Sequence, residues 1–189
     1  MTPDLRALVV FADPSLHRSR ISRRVADAVA SLPGVRVQDL YQLYPDFYID
    51  VRRERELLKA APLVVFVFQL SWYAMPSLLK EWFDTVFKPA WAAQTPGRLQ
   101  GKAAFAAMAC SGPERDYGPG GRHARPLEDY LAPLRQTVTS CCMDWLAPHI
   151  FYGADSPDPD AAAHHAGELR ALLARHAGLG PAEGGVHGA

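Results

Sequence analysis

The chain reads SWYAMPSLLKEWFD at residues 71–84, shortly after the apolar run Leu63–Phe68. Such a run is typical of a buried parallel strand, and the apolar residues after Pro76 recur three and four positions apart, which predicts an amphipathic helix. Trp72 and Tyr73 fall in the turn between strand and helix. Because ligands of open α/β sheets bind outside the carboxyl ends of the strands, this aromatic pair predicts a site for a flat ligand.

Segments of strand and helix character alternate along the whole chain, which predicts a parallel sheet covered on both faces. The predicted strands are Leu5–Ala12, Val35–Leu40, Leu63–Phe68, Lys102–Cys110 and Trp145–Tyr152. The predicted helices are Ser19–Leu32, Val51–Ala60, Pro76–Phe87, Leu127–Cys142 and Asp158–Ala177. Residues 41–50 are expected to form an aromatic-rich loop, and Pro133 predicts a kink or an early break in the fourth helix. This order of elements predicts a flavodoxin-like doubly wound five-stranded parallel sheet, strand order 2-1-3-4-5.

The composition predicts one ordinary globular domain over residues 1–177, followed by a disordered Gly-rich tail over residues 178–189. Twenty basic residues balance 20 acidic ones, so the chain has no excess of positive charge that would indicate binding to nucleic acid or to an anionic membrane. No apolar stretch approaches the ~20 residues of a membrane-spanning helix. The N-terminus does not resemble a secretory signal, so we expect a cytoplasmic protein.

The cysteine and histidine patterns do not indicate a disulfide framework or a metal site. Cys110, Cys141 and Cys142 are odd in number and two are adjacent, which favours reduced thiols. The pair His164-His165 lies in a predicted helix, where both side chains are expected to be solvated at the surface. The prediction is therefore that no metal is bound.

Three loops follow the strands that build the ligand site in this fold, namely strands one, three and four. The first, Asp13–Arg20, runs into a helix N-terminus that suits a phosphate, with Ser19 and Arg18 or Arg20 as further donors. Taken by itself, this loop favours an ordinary capped turn. The second, Gln69–Tyr73, offers aromatic faces and backbone amides to a ring system. The third ends at Gly112, which lets the backbone approach a ligand closely.

Further motifs extend over nearly the whole chain except the tail. They are Leu40–Phe47 with Ile49-Asp50, Trp72-Tyr73, Pro76, Leu78–Lys80, Trp82, Asp84, Val86-Phe87, Trp91, Gly101-Lys102 and Trp145–Pro148. With these motifs the chain resembles the flavodoxin-2 type NAD(P)H:quinone oxidoreductases. Within them it is similar to the small bacterial ancillary proteins of the glutathione-regulated potassium-efflux system.

The resemblance implies a homodimeric enzyme that binds FMN, with FAD as the alternative flavin. NAD(P)H would reduce the flavin at N5 and leave, and a quinone or other small electrophile would then take its place, which is a ping-pong mechanism. The implied cofactor-binding residues are Asp13, Ser19, Arg20, Ile21 and Ser22 near the phosphate, and Leu70, Ser71, Trp72, Tyr73, Ala109, Cys110, Ser111 and Gly112 around the ring system.

Tyr117 and His123 are the implied catalytic residues, because related quinone reductases use a Tyr and a His in the loop after strand four. The histidine could stabilise charge that develops on the reduced flavin or on the quinone oxygen, and the tyrosine could relay a proton. The alternative is that both belong to a mobile polar lid. Cys110 could be a redox thiol or, more simply, a small apolar residue at a strand end.

The chain departs from the family pattern at Asp13, where relatives commonly have a histidine near the cofactor phosphate. A carboxylate ~4 Å from a phosphate is repelled by roughly 4 kcal/mol per unit charge at an effective dielectric of ~20. Asp13 could instead cap its own Asp-Pro turn, or Arg18 or Arg20 could neutralise it; otherwise FMN binding is weakened or lost. The family patterns Pro-x-Gln-Trp and Thr-Thr-Gly-Gly are here Gln69–Trp72 and Ala109–Gly112. We expect FMN to bind, in an altered site.

Two other functions remain open from the sequence. The chain could be a regulatory ancillary subunit of a potassium-efflux transporter with weak or no catalysis, which would place it peripherally at the inner membrane. A one-electron flavodoxin carrier fits less well, because such carriers tend to be acidic and this chain is neutral. The aromatic residues of Tyr41–Tyr48 and Trp91 could form a dimer contact or pack on their own domain.

Overall fold

The computed structural model describes residues 4–14, 20–92, 97–155 and 158–179. The strands are β1 (Ala7–Ala12), β2 (Val35–Asp39), β3 (Leu63–Gln69), β4 (Ala103–Ala109), β5 (Asp144–Trp145) and β6 (His149–Phe151). The α-helices are α1 (Arg20–Ala30), α2 (Leu40–Leu43), α3 (Val51–Ala60), α4 (Ser77–Val86), α5 (Pro89–Ala92), α6 (Ala132–Ser140) and α7 (Pro159–His176). Two 3₁₀ segments, Glu114–Asp116 and Leu127–Leu131, lie between β4 and α6.

All strands run parallel in the order β2-β1-β3-β4-β5, which confirms the predicted flavodoxin-like topology. The fifth strand is not continuous as predicted. Its first part, β5, pairs with the start of β4, and β6 pairs with the end of β4 at Ala107–Ala109. Pro148 stands between the two parts and has no N–H for the ladder, so the predicted strand Trp145–Tyr152 is broken there.

The sheet is covered on both faces, and the alternation of side chains along β1 shows how. Leu8 and Val10 belong to the core beneath α3, α4 and α6, whereas Ala7, Val9 and Phe11 belong to the core beneath α1 and α7. Every residue of β1 is buried. Side chains on both faces of the sheet are covered by helices, so a central strand such as β1 must be apolar at every position.

Two predicted segments differ in detail from the structure. The single predicted helix Leu127–Cys142 is a 3₁₀ segment followed by α6, and Pro133 lies in the first turn of α6, where a missing N–H breaks no helical bond. The predicted break is thus confirmed. The predicted loop 41–50 is in part helical, because α2 starts at Leu40 and is capped by Asp39, whose carboxylate accepts from Gln42 N at 3.2 Å.

Helix α7 corrects the expectation that His164 and His165 are both solvated. His164 is exposed, but His165 is 5% exposed, because its face of α7 packs on the sheet against Phe151. The predicted disordered tail lies, from residue 180 onward, outside the described residues. In the described part of the chain, no helix combines the length and apolar character needed to cross a membrane.

A fully buried carboxylate, Glu54 of α3, joins four elements on the α4 side of the sheet. Its oxygens accept hydrogen bonds from Gln38 Nε2 of β2 at 2.8 Å, from the Tyr44 hydroxyl at 2.6 Å and from Trp82 Nε1 of α4 at 3.0 Å. We call Gln38, Tyr44, Glu54 and Trp82 the Glu54 cluster. Three donors offset the desolvation of this carboxylate.

Candidate functional site

The turn after β3 is a two-residue hairpin turn with an unusual backbone. Ser71 N donates to Ala74 O at 2.9 Å and Ala74 N donates to Ser71 O at 3.1 Å. Both central residues have left-handed backbone angles, with φ of 46° at Trp72 and 64° at Tyr73. Turns of this kind usually contain Asn or Gly, so two aromatic residues here carry strain of about 1 kcal/mol or more each. Strain of this kind is common where a ligand is bound.

The side chains of this turn point outward rather than into the core. Trp72 is 91% exposed and Tyr73 is 49% exposed. The Tyr73 ring contacts the rings of Tyr130 and His123, with centroid distances of 5.4 Å and 5.6 Å. The aromatic pair therefore forms an exposed platform at the carboxyl end of β3, as the sequence predicts.

The turn after β4 is held close to the β3 turn. Leu70 N donates to Ala109 O at 2.8 Å. Gly112 has φ of 76°, and a Cβ there would lie 3.1 Å from Asp116 Oδ2. Its N–H donates to Asp155 Oδ1 at 2.9 Å, so part of the polar lining comes from the segment after β6. Glycine is thus required here by backbone conformation and by the neighbouring carboxylate.

Cys110 at the end of β4 behaves as a small apolar residue. It is fully buried, and burial raises the pKa of its thiol to about 11, so the thiol is protonated at neutral pH. Its backbone N–H donates to Phe151 O at 2.9 Å. Since the thiolate is the reactive form, this environment argues against the redox alternative.

Tyr117 and His123 come together beside the aromatic turn, which they meet at the Tyr73 ring. Their rings stack with a centroid distance of 4.5 Å and an interplanar angle of 26°. The Tyr117 hydroxyl donates to Ser111 O at 2.7 Å, and His123 N donates to Asp116 O at 2.8 Å. Burial, followed by a hydrogen bond with Cys110, raises the pKa of Tyr117, which keeps its hydroxyl protonated. The two predicted catalytic residues are therefore ordered neighbours.

These turns enclose an open cleft of about 350 Å³ at the carboxyl edge of the sheet. It is lined by Leu70, Trp72, Tyr73, Cys110, Ser111, Gly112, Asp116, Tyr117, Arg122, His123 and Asp155. Eight of these residues are predicted from the sequence. The prediction missed Asp116, Arg122 and Asp155, because the folding of the loop after β4 and its contact with the segment after β6 leave no local pattern. Ser71 and Ala109, which the sequence also predicts, are not among the lining residues; their backbone is hydrogen-bonded within and between the two turns.

The predicted phosphate side is described only in part. Asp13 is 2% exposed at the end of β1, and Ile21 is 4% exposed, with its side chain in the core. Arg20 and Ser22 lie in the first turn of α1. Ser19 and Arg18 lie outside the described residues, so the predicted phosphate contacts and the neutralisation of Asp13 stay predictions.

Comparison with known proteins agrees with this architecture. The family model Flavodoxin_2, flavodoxin-like fold, matches residues 6–173. The glutathione-regulated potassium-efflux system ancillary protein KefG of Yersinia enterocolitica is 36% identical over 167 residues, which cover 88% of this chain and 91% of that protein.

Several proteins of known structure share this fold, although they have different names. General stress protein 14 of Treponema denticola, in complex with FMN, has a TM-score of 0.85 at 27% identity and covers 90% of this chain and 98% of its own. A structure described as a thermophilic tryptophan halogenase from Streptomycin violaceusniger has a TM-score of 0.83 at 35% identity, covering 86% and 95%. An NADPH-quinone reductase from P. pentosaceus, 22% identical with a TM-score of 0.80 over 88% and 96%, shares the fold.

These names do not agree on one activity, whereas the family model matches residues 6–173 and the KefG relative aligns with 88% of the chain. The protein belongs to the Flavodoxin_2 family of flavodoxin-like proteins.

Proposed function

We propose that this protein is an FMN-dependent NAD(P)H:quinone oxidoreductase that transfers two electrons as a hydride in a ping-pong mechanism. The observation that carries the proposal is the cleft at the carboxyl ends of β3 and β4. A strained, exposed aromatic turn forms one part of its lining, and the stacked pair Tyr117–His123, which contacts the Tyr73 ring, forms the next. This is the place where open α/β sheets bind ligands.

The residues present fit a flavin ring system. The Trp72–Tyr73 turn offers an exposed aromatic surface, and the turn Ala109–Gly112 offers backbone close to it, because Leu70 and Ala109 are hydrogen-bonded across the two turns. The start of α1, with Ser19, Arg20 and Ser22, would hold the phosphate at the positive end of the helix. Bound FMN would supply the hydride-accepting and hydride-donating centre, and FAD is the alternative.

Tyr117 and His123 would act on the proton that accompanies the hydride. The Tyr117 hydroxyl donates its single proton to Ser111 O at 2.7 Å, so to relay a proton it would turn from that carbonyl toward a quinone oxygen in the cleft. His123, stacked on that ring, can stabilise negative charge that develops in the reduced state, and Arg122 adds a cation to the same wall.

The ping-pong order is the part of the proposal that concerns the sequence of binding. NAD(P)H and the acceptor would occupy the same open cleft in turn.

A second candidate function is that of a regulatory ancillary subunit of a potassium-efflux transporter. It is favoured by the similarity to KefG, which extends over 91% of that protein. In this case the protein would sit peripherally at the inner membrane through its partner, and turnover would be weak or absent. NAD(P)H oxidation by the purified protein, together with pull-down of a transporter's cytoplasmic domain, separates the two candidates.

A homodimer is part of the first proposal. The loop after α2 presents Tyr48, 84% exposed, and Phe47, 43% exposed with φ of 64°. Trp91 packs instead on its own chain, since the Arg55 guanidinium lies 4.6 Å above its ring. We expect Tyr48→Ser to shift the protein toward a monomer in analytical ultracentrifugation; a wild-type monomer at all concentrations would exclude the dimer.

The direct test is NAD(P)H oxidation with a quinone acceptor after FMN has been added and excess removed. We expect parallel lines in a double-reciprocal plot, as a ping-pong mechanism requires. A protein that retains FMN but shows no quinone-dependent oxidation of NADH or NADPH would contradict the enzymatic proposal and favour the ancillary role.

A further inference from the structure

A second cluster of side chains with nitrogen and oxygen ligand atoms lies between β6 and α7. It is on the face of the sheet opposite the Glu54 cluster. His149 of β6 and His165 of α7 approach to 2.8 Å between Nε2 and Nδ1, with nearly parallel rings. Glu168 follows three positions after His165, so both project from one side of the helix. The function proposed above uses none of these residues.

The positions of the three groups suit a small cation. One ligand atom from each of His149, His165 and Glu168 lies within 4.8 Å of the other two. Two nitrogens bound to one Zn²⁺ at about 2.0–2.1 Å with tetrahedral angles are separated by about 3.3 Å. The two nitrogens would thus have to move about 0.5 Å apart, and the metal would replace the N–H···N hydrogen bond between them, with the proton moving to the other nitrogen of its ring.

The surroundings favour binding as well. His165 is 5% exposed and packs on the Phe151 ring at 4.4 Å, which holds its imidazole in place, whereas Glu168 is exposed and gives an ion access from solvent. His164 Nε2, 3.2 Å from Glu168 Oε1, contacts the carboxylate and can orient it.

We propose that His149, His165 and Glu168 bind a divalent transition-metal ion, with Zn²⁺ the best match. Two imidazoles and one carboxylate are the ligands of known three-residue zinc sites, in which the fourth position is left to water. Alkaline-earth ions prefer all-oxygen sites, so Mg²⁺ and Ca²⁺ are expected to bind far more weakly. The site does not depend on flavin, so it stands or falls separately from the proposed enzyme activity.

Equilibrium dialysis against Zn²⁺, with metal counted by mass spectrometry, tests the proposal on the full chain. The background is Cys142→Ser, because Cys142 is exposed and could bind the metal itself. We expect one Zn²⁺ per chain, and at least tenfold weaker binding in His149→Ala and in Glu168→Gln. His176→Ala, which removes another histidine of α7 outside the cluster, should bind as the parent does.

Circular dichroism checks the folding of each variant. If His149→Ala folds poorly, Glu168→Gln still tests the proposal, because Glu168 is exposed and its replacement should not disturb the fold. Equal Zn²⁺ affinity in the parent and Glu168→Gln would overturn the proposal, as would the lack of stoichiometric Zn²⁺ binding in the parent. An equal loss of binding in His176→Ala would show that the metal is held elsewhere.

Discussion

Two aromatic-rich regions, the Glu54 cluster and the cleft, differ in almost every physical respect. In the Glu54 cluster, Tyr44 and Trp82 are buried, and their polar atoms donate to one carboxylate. In the cleft, Trp72 and Tyr73 are exposed, and their backbone lies in the left-handed region. The first arrangement stabilises the folded chain, whereas the second retains backbone strain and exposed apolar surface. We therefore expect the first region to contribute stability and the second to contribute binding.

The largest expected effect is on stability, through the Glu54 cluster. Glu54→Ala leaves the Gln38, Tyr44 and Trp82 donors buried without their acceptor and opens a cavity, so we expect the free energy of unfolding to fall by about 3–5 kcal/mol. Urea denaturation measures this. Glu56→Ala, two positions along the same helix, is the control, since its ion pair with Lys59 is exposed to solvent and should contribute little to stability. A similar loss in both variants would contradict the role given to the cluster.

The next effect is on catalysis, through the cleft. Tyr117→Phe removes the hydroxyl that is held at Ser111 O, and we expect kcat with a quinone to fall about 10²-fold, while FMN affinity changes little. Tyr152→Phe is the matched control, because the Tyr152 ring contacts Tyr117 at 5.8 Å but does not line the cleft. Steady-state kinetics of both variants decide the matter: unchanged kcat in Tyr117→Phe would exclude a proton relay through this residue.

Asp13 can be compared directly with Glu54, because both are buried carboxylates. In the sequence, however, Asp13 begins the loop that is predicted to bind the phosphate. Asp13→His replaces negative charge by a neutral or positive ring, so we expect FMN to bind about tenfold or more tightly. Fluorescence titration with FMN gives the affinity. Equal or weaker binding would show that Asp13 does not face the phosphate.

The smallest effect tests the strain in the aromatic turn. Trp72→Gly places the residue best suited to positive φ in the turn, so we expect the flavin-free protein to gain about 1 kcal/mol in unfolding free energy, while FMN binding weakens. Tyr48→Gly is the control: Tyr48 is also highly exposed but is not among the described positive-φ residues, so it should give no gain. A loss of stability in Trp72→Gly would mean that the turn is not strained.

The two regions also differ in how far the sequence could predict them. The Trp72–Tyr73 turn follows a local pattern, an apolar strand, an aromatic pair and then helical periodicity, and the structure places it at the carboxyl edge of the sheet as expected. Its left-handed backbone was not foreseen, because aromatic residues rarely adopt that conformation. Tyr117 and His123 were found through family resemblance; the stacking of their rings depends on the fold of the loop.

The Glu54 cluster and the His149–His165 pair could not have been found in this way. Gln38, Glu54 and Trp82 are on separate elements, and each looks like an ordinary residue of its own strand or helix. His165 appeared solvated in the sequence because the Ala-rich α7 does not reveal which side packs on the sheet. The break of the fifth strand, by contrast, has a local cause in the sequence, because Pro148 has no N–H to donate to the strand ladder.

The central claim is that the turns after β3 and β4 form a flavin site at the carboxyl edge of the sheet. Titration of the purified protein with FMN, followed by the visible absorbance and fluorescence of the flavin, tests it most directly. The account predicts saturable binding of one FMN per chain with a Kd on the order of micromolar or tighter. Absence of any spectral change with both FMN and FAD at concentrations on the order of 100 μM would contradict it.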